Sequence, residues 1–163
     1  MVVVTGSSAG VGRAIAREFG RHGAKVGLVA RGEDGLNAAV GEIERLGGRA
    51  VAVPTDVADH DAVEAAARRV EEEFGPIDVW VNNAMTSVFS PVKEMKPEEF
   101  KRVTEVTYLG VVYGTLAALV VRGPDDRFSG DLRLVDGRHR LRLVRQAALD
   151  PVELRRVQRR HLH

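Results

Sequence analysis

The chain has 163 residues, 44% of them apolar, and a formal net charge of +1, which is enough for one domain with a real core and too little for two ordinary ones. It has no cysteine, which excludes disulfides and thiolate metal sites and fits a reducing cytoplasm, so a cytoplasmic location is expected. No run of about 18 apolar residues occurs, so no membrane span is predicted, and Gly6 and Ser7 follow residues 1 to 4 too soon for a secretory signal.

Met1-Val2-Val3-Val4 predicts a buried strand, and Thr5-Gly6-Ser7-Ser8-Ala9-Gly10-Val11-Gly12 follows it directly. Glycines at this place let the backbone turn and approach a pyrophosphate without Cβ clashes, while the free N–H groups of the next helix face the anion. A glycine pattern alone is weak evidence. Here Ala14, Ile15, Arg17, Glu18 and Phe19 continue in helical fashion to Gly20 and Gly23, so the loop has the strand before it and the helix after it that a dinucleotide cradle requires.

Lys25 to Ala30 then reads as a second strand, closed by Arg31-Gly32. Leu36, Val40, Ile43 and Leu46 make one apolar helical face that stops at Gly47-Gly48. Ala50 to Val53 is the third strand. Asp59 caps a helix whose Val63, Ala67, Val70 and Phe74 face inward until Gly75-Pro76 ends it. Ile77 to Val81 is the fourth strand, and Pro97-Glu98-Glu99 opens a long helix, with a break allowed, that runs to Leu119. Strands alternating with helices in this way predict an α/β fold, a Rossmann-like doubly wound parallel sheet of order 3-2-1-4 with helices on both faces. Ligand would bind at the carboxyl ends of the strands, which carry Thr5-Gly6, Arg31, Asp56-Val57 and Asn82-Asn83-Ala84.

As a set in this order, these motifs resemble the short-chain dehydrogenase/reductase family in its classical form, across residues 1 to about 120. Thr5-Gly-x-x-x-Gly10-x-Gly12 resembles the family's cofactor loop, Asp56-Val57 its adenine-contacting pair, and Asn82-Asn83-Ala84 the motif that braces the sheet on the nicotinamide side. The resemblance implies an NAD(P)-dependent oxidoreductase that moves a hydride between cofactor and a small-molecule carbonyl or alcohol. It implies that Gly6, Ser7, Ser8, Gly10, Val11 and Gly12 hold the dinucleotide, Asp56 and Val57 the adenine, and Asn83 and Ala84 the ribose neighbourhood. A plain loop carboxylate is the other reading of Asp56. At the end of the second strand Ala30-Arg31 offers no acid for a ribose hydroxyl and a guanidinium that can pair with a 2′-phosphate, which favours NADP over NAD. The alternative for Arg31 is a solvated strand-end side chain.

The chain also departs from the family. Met85 stands where the strand-4 motif commonly ends in glycine, and Thr107 stands where the family places a catalytic Asn, which makes Thr107 the one candidate catalytic residue. The family's Tyr-x-x-x-Lys is absent: Val112 follows Tyr108 at plus four, Ala117 follows Tyr113, and no lysine lies beyond Lys101. Loss of a general acid typically costs about 10²–10⁴ in rate. Strands 5 to 7 and the substrate pocket are expected to be missing, and with them half of the usual subunit-pairing surface, so a homo-oligomer is not expected.

Residues 1 to 121 hold 13 basic and 17 acidic residues, net −4, whereas 122 to 163 hold 11 Arg and 6 acids, net +5. The division falls near 120, into an NAD(P)-binding Rossmann domain over 1 to 120 and a non-family basic tail over 121 to 163. Leu132 and Leu134, Asp136-Gly137, then Leu141 and Leu143 read as a hairpin, and Asp150-Pro151-Val152-Glu153 opens a basic helix; strand 4 lacks its usual neighbour, and its open apolar edge invites pairing or aggregation unless the hairpin covers it. Aromatic stacking residues do not accompany the basic charge, so nucleic acid is not expected, and no ligands converge with His161 and His163, so no metal is expected. A third reading makes the tail a frameshift product, because permitted codons for 151 to 159, shifted by one base, encode Gln-Ser-Ser-Tyr-Ala-Ala-Ser-Lys. Whether this chain is itself an enzyme is left open by the sequence. The alternatives are an impaired reductase, a non-catalytic dinucleotide-binding module and a non-functional frameshifted product.

Overall fold

Successive residues of a strand point to opposite faces, so three consecutive valines at Val2, Val3 and Val4 need an apolar layer on each side. The computed structural model, which describes residues 1–120 and 133–136, supplies both layers. Val2 and Val4 pack with Val26, Leu28, Leu36 and Ile43 on one face. Val3 packs with Val29, Val63, Val70 and Trp80 on the other.

The sheet is parallel throughout. Its strands are β1 (Val2–Thr5), β2 (Lys25–Ala30), β3 (Arg49–Pro54), β4 (Val79–Asn82) and β5 (Arg133–Asp136), in the order β3-β2-β1-β4-β5. Helices α1 (Gly10–Arg21) and α2 (Glu33–Arg45) contribute to the first face, and α3 (His60–Phe74) and α5 (Gly110–Val120) to the second. Helix α4 (Pro97–Thr104) precedes α5, and one π-helical segment, Glu105–Leu109, joins the two. The expected Rossmann-like order 3-2-1-4 is therefore present, and the break allowed in the long helix is this π segment.

Local chemistry accounts for the element boundaries. Asp59 accepts a hydrogen bond from Ala62 N at 3.0 Å and so caps α3, whose Val63, Ala67, Val70 and Phe74 are all buried, as the spacing predicts. Gly75 ends that helix at φ 89°. Pro97 opens α4, where Glu99 accepts from Lys96 N at 2.8 Å.

Beside β4, the structure differs from the sequence expectation. One arm of the expected hairpin, Arg133–Asp136, runs parallel to β4 with Trp80 opposite Leu134 and Val81 opposite Val135. It occupies the sheet position that strand 5 was expected to leave open. A parallel edge supplies a complete row of main-chain donors and acceptors, which any short extended segment can satisfy. The second hairpin arm at Leu141 and Leu143, the helix opening at Asp150, His161, His163 and the 151 to 159 segment lie outside the described residues.

Trp80 is fully buried and pins β4 to α5. Its Nε1 donates to Asn82 Oδ1 at 3.0 Å, Asn82 Nδ2 donates to Thr115 Oγ1 at 3.2 Å, and Thr115 Oγ1 donates to Val111 O at 2.8 Å. Trp80→Ala is expected to remove about 3–5 kcal/mol of stability. Urea unfolding followed by circular dichroism checks this, since the substitution deletes the chain's single tryptophan fluorophore.

Candidate functional site

Where β1 ends, the chain turns back over the carboxyl end of the sheet, and Gly6 N donates to Val29 O at 2.7 Å. Gly6 has φ 68°, and a Cβ there would lie 2.8 Å from Ala84 Cα. A Cβ on Gly12 would overlap both Asn83 Nδ2 and the Gly6 carbonyl oxygen. Gly10 has φ 56° with open space beside it, so its need for glycine is conformational. No side chain caps the start of α1, and its first turn carries no acid. The result is a helix N-terminus whose unshared N–H groups face a cleft.

The two serines of the loop go separate ways. Ser8 lines the cleft, whereas Ser7 is fully buried, does not line it, and donates its hydroxyl to Val29 O at 3.5 Å. Arg13 secures the loop from behind. Its Nη1 donates to Ser8 O at 3.3 Å, and its Nη2 and Nε donate to Glu42 of α2 at 2.8 and 3.1 Å. The Arg13 hydrogen bond is the foremost reason the Glu42 carboxyl lies below its ordinary value.

A compact lock ties the glycine loop to the end of β4. Thr5 Oγ1 donates to Val81 O at 3.2 Å and accepts from both Asn83 N and Ala84 N at 3.0 Å. Asn83 Nδ2 returns a bond to Thr5 O at 3.0 Å and reaches Gly6 O at 3.4 Å. Thr5 is buried and Asn83 and Ala84 are partly so, and these bonds satisfy main-chain groups that no sheet ladder pairs.

The third wall carries Asp56 and Val57. Arg102 of α4 places Nη2 at 2.7 Å from Asp56 Oδ2 and 3.0 Å from Oδ1, and Ala58 N donates to Oδ1 at 3.1 Å. Burial alone would raise the Asp56 carboxyl. The Ala58 bond, the bonds and charge of Arg102, and the charge of Arg31 together outweigh it and hold the carboxyl below its usual value. Val57 is buried and packs close enough to Gly110 that a Cβ there would lie 2.9 Å from Val57 Cγ2.

Thr107 sits in the π segment, a deformation of the helical ladder that recurs at functional sites. Its hydroxyl donates to Thr86 O at 3.0 Å and accepts from Thr86 N at 3.2 Å, so it is engaged with the loop that follows β4.

A cleft of about 1490 Å³ joins these walls. It is lined by Gly6, Ser8, Gly10, Val11 and Gly12 from the loop, Arg31, Asp56 and Val57 from the ends of β2 and β3, and Asn83, Ala84 and Thr107 from the far side. Met85, half or more exposed, also lines it. The sequence reading missed Arg102, which lies 46 positions from its partner and carries no local motif. No group of three or more His, Cys, Asp or Glu that could hold a metal occurs among the described residues.

The family model described as short chain dehydrogenase matches residues 1–125. Among relatives, 3-dehydrosphinganine reductase of Danio rerio is 41% identical over 123 residues, covering 72% of this chain and 37% of that protein. The 3beta-hydroxysteroid dehydrogenase 1 of Eggerthella lenta is 43% identical over 119 residues, covering 72% of this chain and 46% of that one. The chain thus spans less than half the length of these relatives. Among solved structures, an alcohol dehydrogenase from Thermococcus sibiricus complexed with 5-hydroxy-NADP superposes with a TM-score of 0.70 at 36% identity, over 74% of this chain and 52% of that one. L-Sorbose reductase from Gluconobacter frateurii, complexed with NADPH and L-sorbose, gives 0.68 at 35% identity, over 73% and 46%.

Thr5→Val keeps the shape and strands the Asn83 and Ala84 N–H groups without an acceptor. It is expected to cost about 1–3 kcal/mol in total, since the two donors are partly buried, whereas Thr5→Ser retains most of the stability. Denaturant midpoints of the two variants, measured side by side, check this.

Proposed function

We propose that this chain, which belongs to the short chain dehydrogenase family, carries that family's NADP site and, by itself, little of its catalysis. The observation that carries the reading is the cradle at the start of α1. An uncapped helix N-terminus, free of acids, opens into the cleft beneath a loop in which Gly6 and Gly12 leave no room for a side chain. That donor set suits a pyrophosphate, with Asp56 and Val57 at the adenine and Asn83 and Ala84 near the nicotinamide ribose. Ser7, turned into the core, would serve by shaping the loop.

NADP is favoured over NAD by Arg31, which is exposed at the end of β2, lines the cleft and stands where an acid would otherwise bind the ribose 2′-hydroxyl. The NADP-type ligands of the two solved relatives are in keeping with this. The chemistry supplied by such a cofactor is hydride transfer to a carbonyl or from an alcohol. In this chain no Tyr-x-x-x-Lys is present to handle the accompanying proton, and Thr107 is the remaining candidate near the reacting end. Its two bonds to Thr86 favour a part in holding the loop after β4. Residues 121 to 163 are read as a tail foreign to the family, and a shifted reading frame would account for it. The second reading, a dinucleotide-binding module without catalysis, rests on the same cradle and the missing Tyr and Lys. The third, a non-functional product, requires that no cofactor binds.

Calorimetric titration of the full chain separates these. NADPH is expected to bind about 10-fold or more tightly than NADH, a difference typical of one charge-assisted contact, and Arg31→Ala is expected to abolish the preference. Gly12→Val is expected to eliminate binding of both. Carbonyl-dependent NADPH oxidation is expected to stay near background. Rapid turnover would sink the binding-module reading, and absence of binding would sink both cofactor readings.

A further inference from the structure

Asp56 and Arg102 form the one ion pair among the described residues whose two members both line the cleft. They come from different elements, the loop after β3 and helix α4, and each side chain is about one-third exposed, at 38% and 35%. A pair so placed is in reach of a ligand. A carboxylate offers about four acceptor positions. Oδ1 uses two, on Ala58 N at 3.1 Å and Arg102 Nη2 at 3.0 Å, and Oδ2 uses one, on Arg102 Nη2 at 2.7 Å. One position remains, on Oδ2.

We propose that Arg102 is a positioning residue for the base of the cofactor: it turns Asp56 so that a single Oδ2 acceptor meets an N–H donor of the ligand. Such a site accepts an exocyclic amine, as on adenine. It rejects a base with a carbonyl at that place, since two acceptors would then face each other in a partly desolvated cleft. Arg102 touches the base only through Asp56. The inference rests on the dinucleotide reading above, and it adds what that reading does not contain, a residue on α4 that sets base selectivity.

Protonation of Asp56 would add an O–H donor beside the remaining acceptor, so the carboxyl could serve either base and the preference would be lost. The charged groups facing it are Arg102 from α4 and Arg31 from the end of β2, and both keep the carboxyl ionised to lower pH than usual. Base selectivity is therefore present at neutral pH and lost as pH falls through that lowered value. Without Arg102 the carboxyl rises, so the loss moves to higher pH.

The probes are NADPH and its hypoxanthine analogue, in which a carbonyl replaces the exocyclic amine. The wild-type full chain is expected to prefer NADPH by on the order of 10-fold. Arg102→Gln is expected to bring the two ligands close to equal affinity while both still bind through the phosphate cradle, and Arg102→Lys, which keeps the charge, is expected to be intermediate. Asp56→Asn, which leaves Arg102 in place, is expected to lose the preference as well and serves if Arg102→Gln does not fold. A purely structural Arg102 would weaken both ligands alike and leave their ratio and its pH profile unchanged, which overturns the proposal. Equal binding of both ligands by the wild-type chain also overturns it and leaves the dinucleotide site standing. Binding of neither removes the dinucleotide reading itself.

Discussion

One hydroxyl, that of Thr5, holds together the place where this sheet reverses its direction of growth. Strands β2 and β3 extend to one side of β1 and β4 to the other, so the chain leaves β1 and β4 into a crevice that neither crossover fills. The main chain there has no ladder to continue. Thr5 accepts from two successive N–H groups after β4 and donates to the carbonyl of Val81, and the Asn83 amide answers with bonds to the first two carbonyls of the glycine loop. The same amide sets the upper limit on the size of its neighbour, since Gly12 has no room for a Cβ beside it. The glycine loop is thus shaped by its brace, and the form of the cleft follows from the geometry of the fold.

The opposite wall is held on a different principle. Helices α4 and α5 meet through a π segment rather than a continuous α-helical ladder. That segment places Thr107 against the loop after β4, while Gly110 lets the helix approach Val57 closely and Arg102 reaches Asp56 from one turn earlier. Charge and packing therefore act together along one helix, and the Asp56 wall and the loop after β4 share a single support.

Local physics made much of this legible. The Asp59 cap, the 3.6-residue recurrence of Val63, Ala67, Val70 and Phe74, and the valine run before the glycine loop each depend on neighbours within a turn or a strand, and each stands in the structure where the pattern places it. Features set by distant partners were not legible. The Asp56 to Arg102 pair joins residues far apart in sequence, and the inward turn of Ser7 depends on Val29 O of the adjacent strand. The π segment arises from a register change that no residue type announces. Alternating apolar residues around 133 predicted extended structure, but a strand pattern does not distinguish a hairpin arm from a parallel partner, because both present the same period.

The pairings of β1 also order events in time. Its β2 partner lies close behind it, with Val3 opposite Gly27, while its β4 partner is far downstream, with Val3 opposite Trp80. A chain emerging from the ribosome can zip the near pairing long before the far one exists, since closing the longer loop must await both synthesis and its greater entropic cost. The glycine loop can be synthesised and turned early, but it stands without Asn83 until the fourth strand exists. In a growing polypeptide the glycine loop is thus written well before the residue that braces it, and the cleft can take its shape only once the fourth strand is in place.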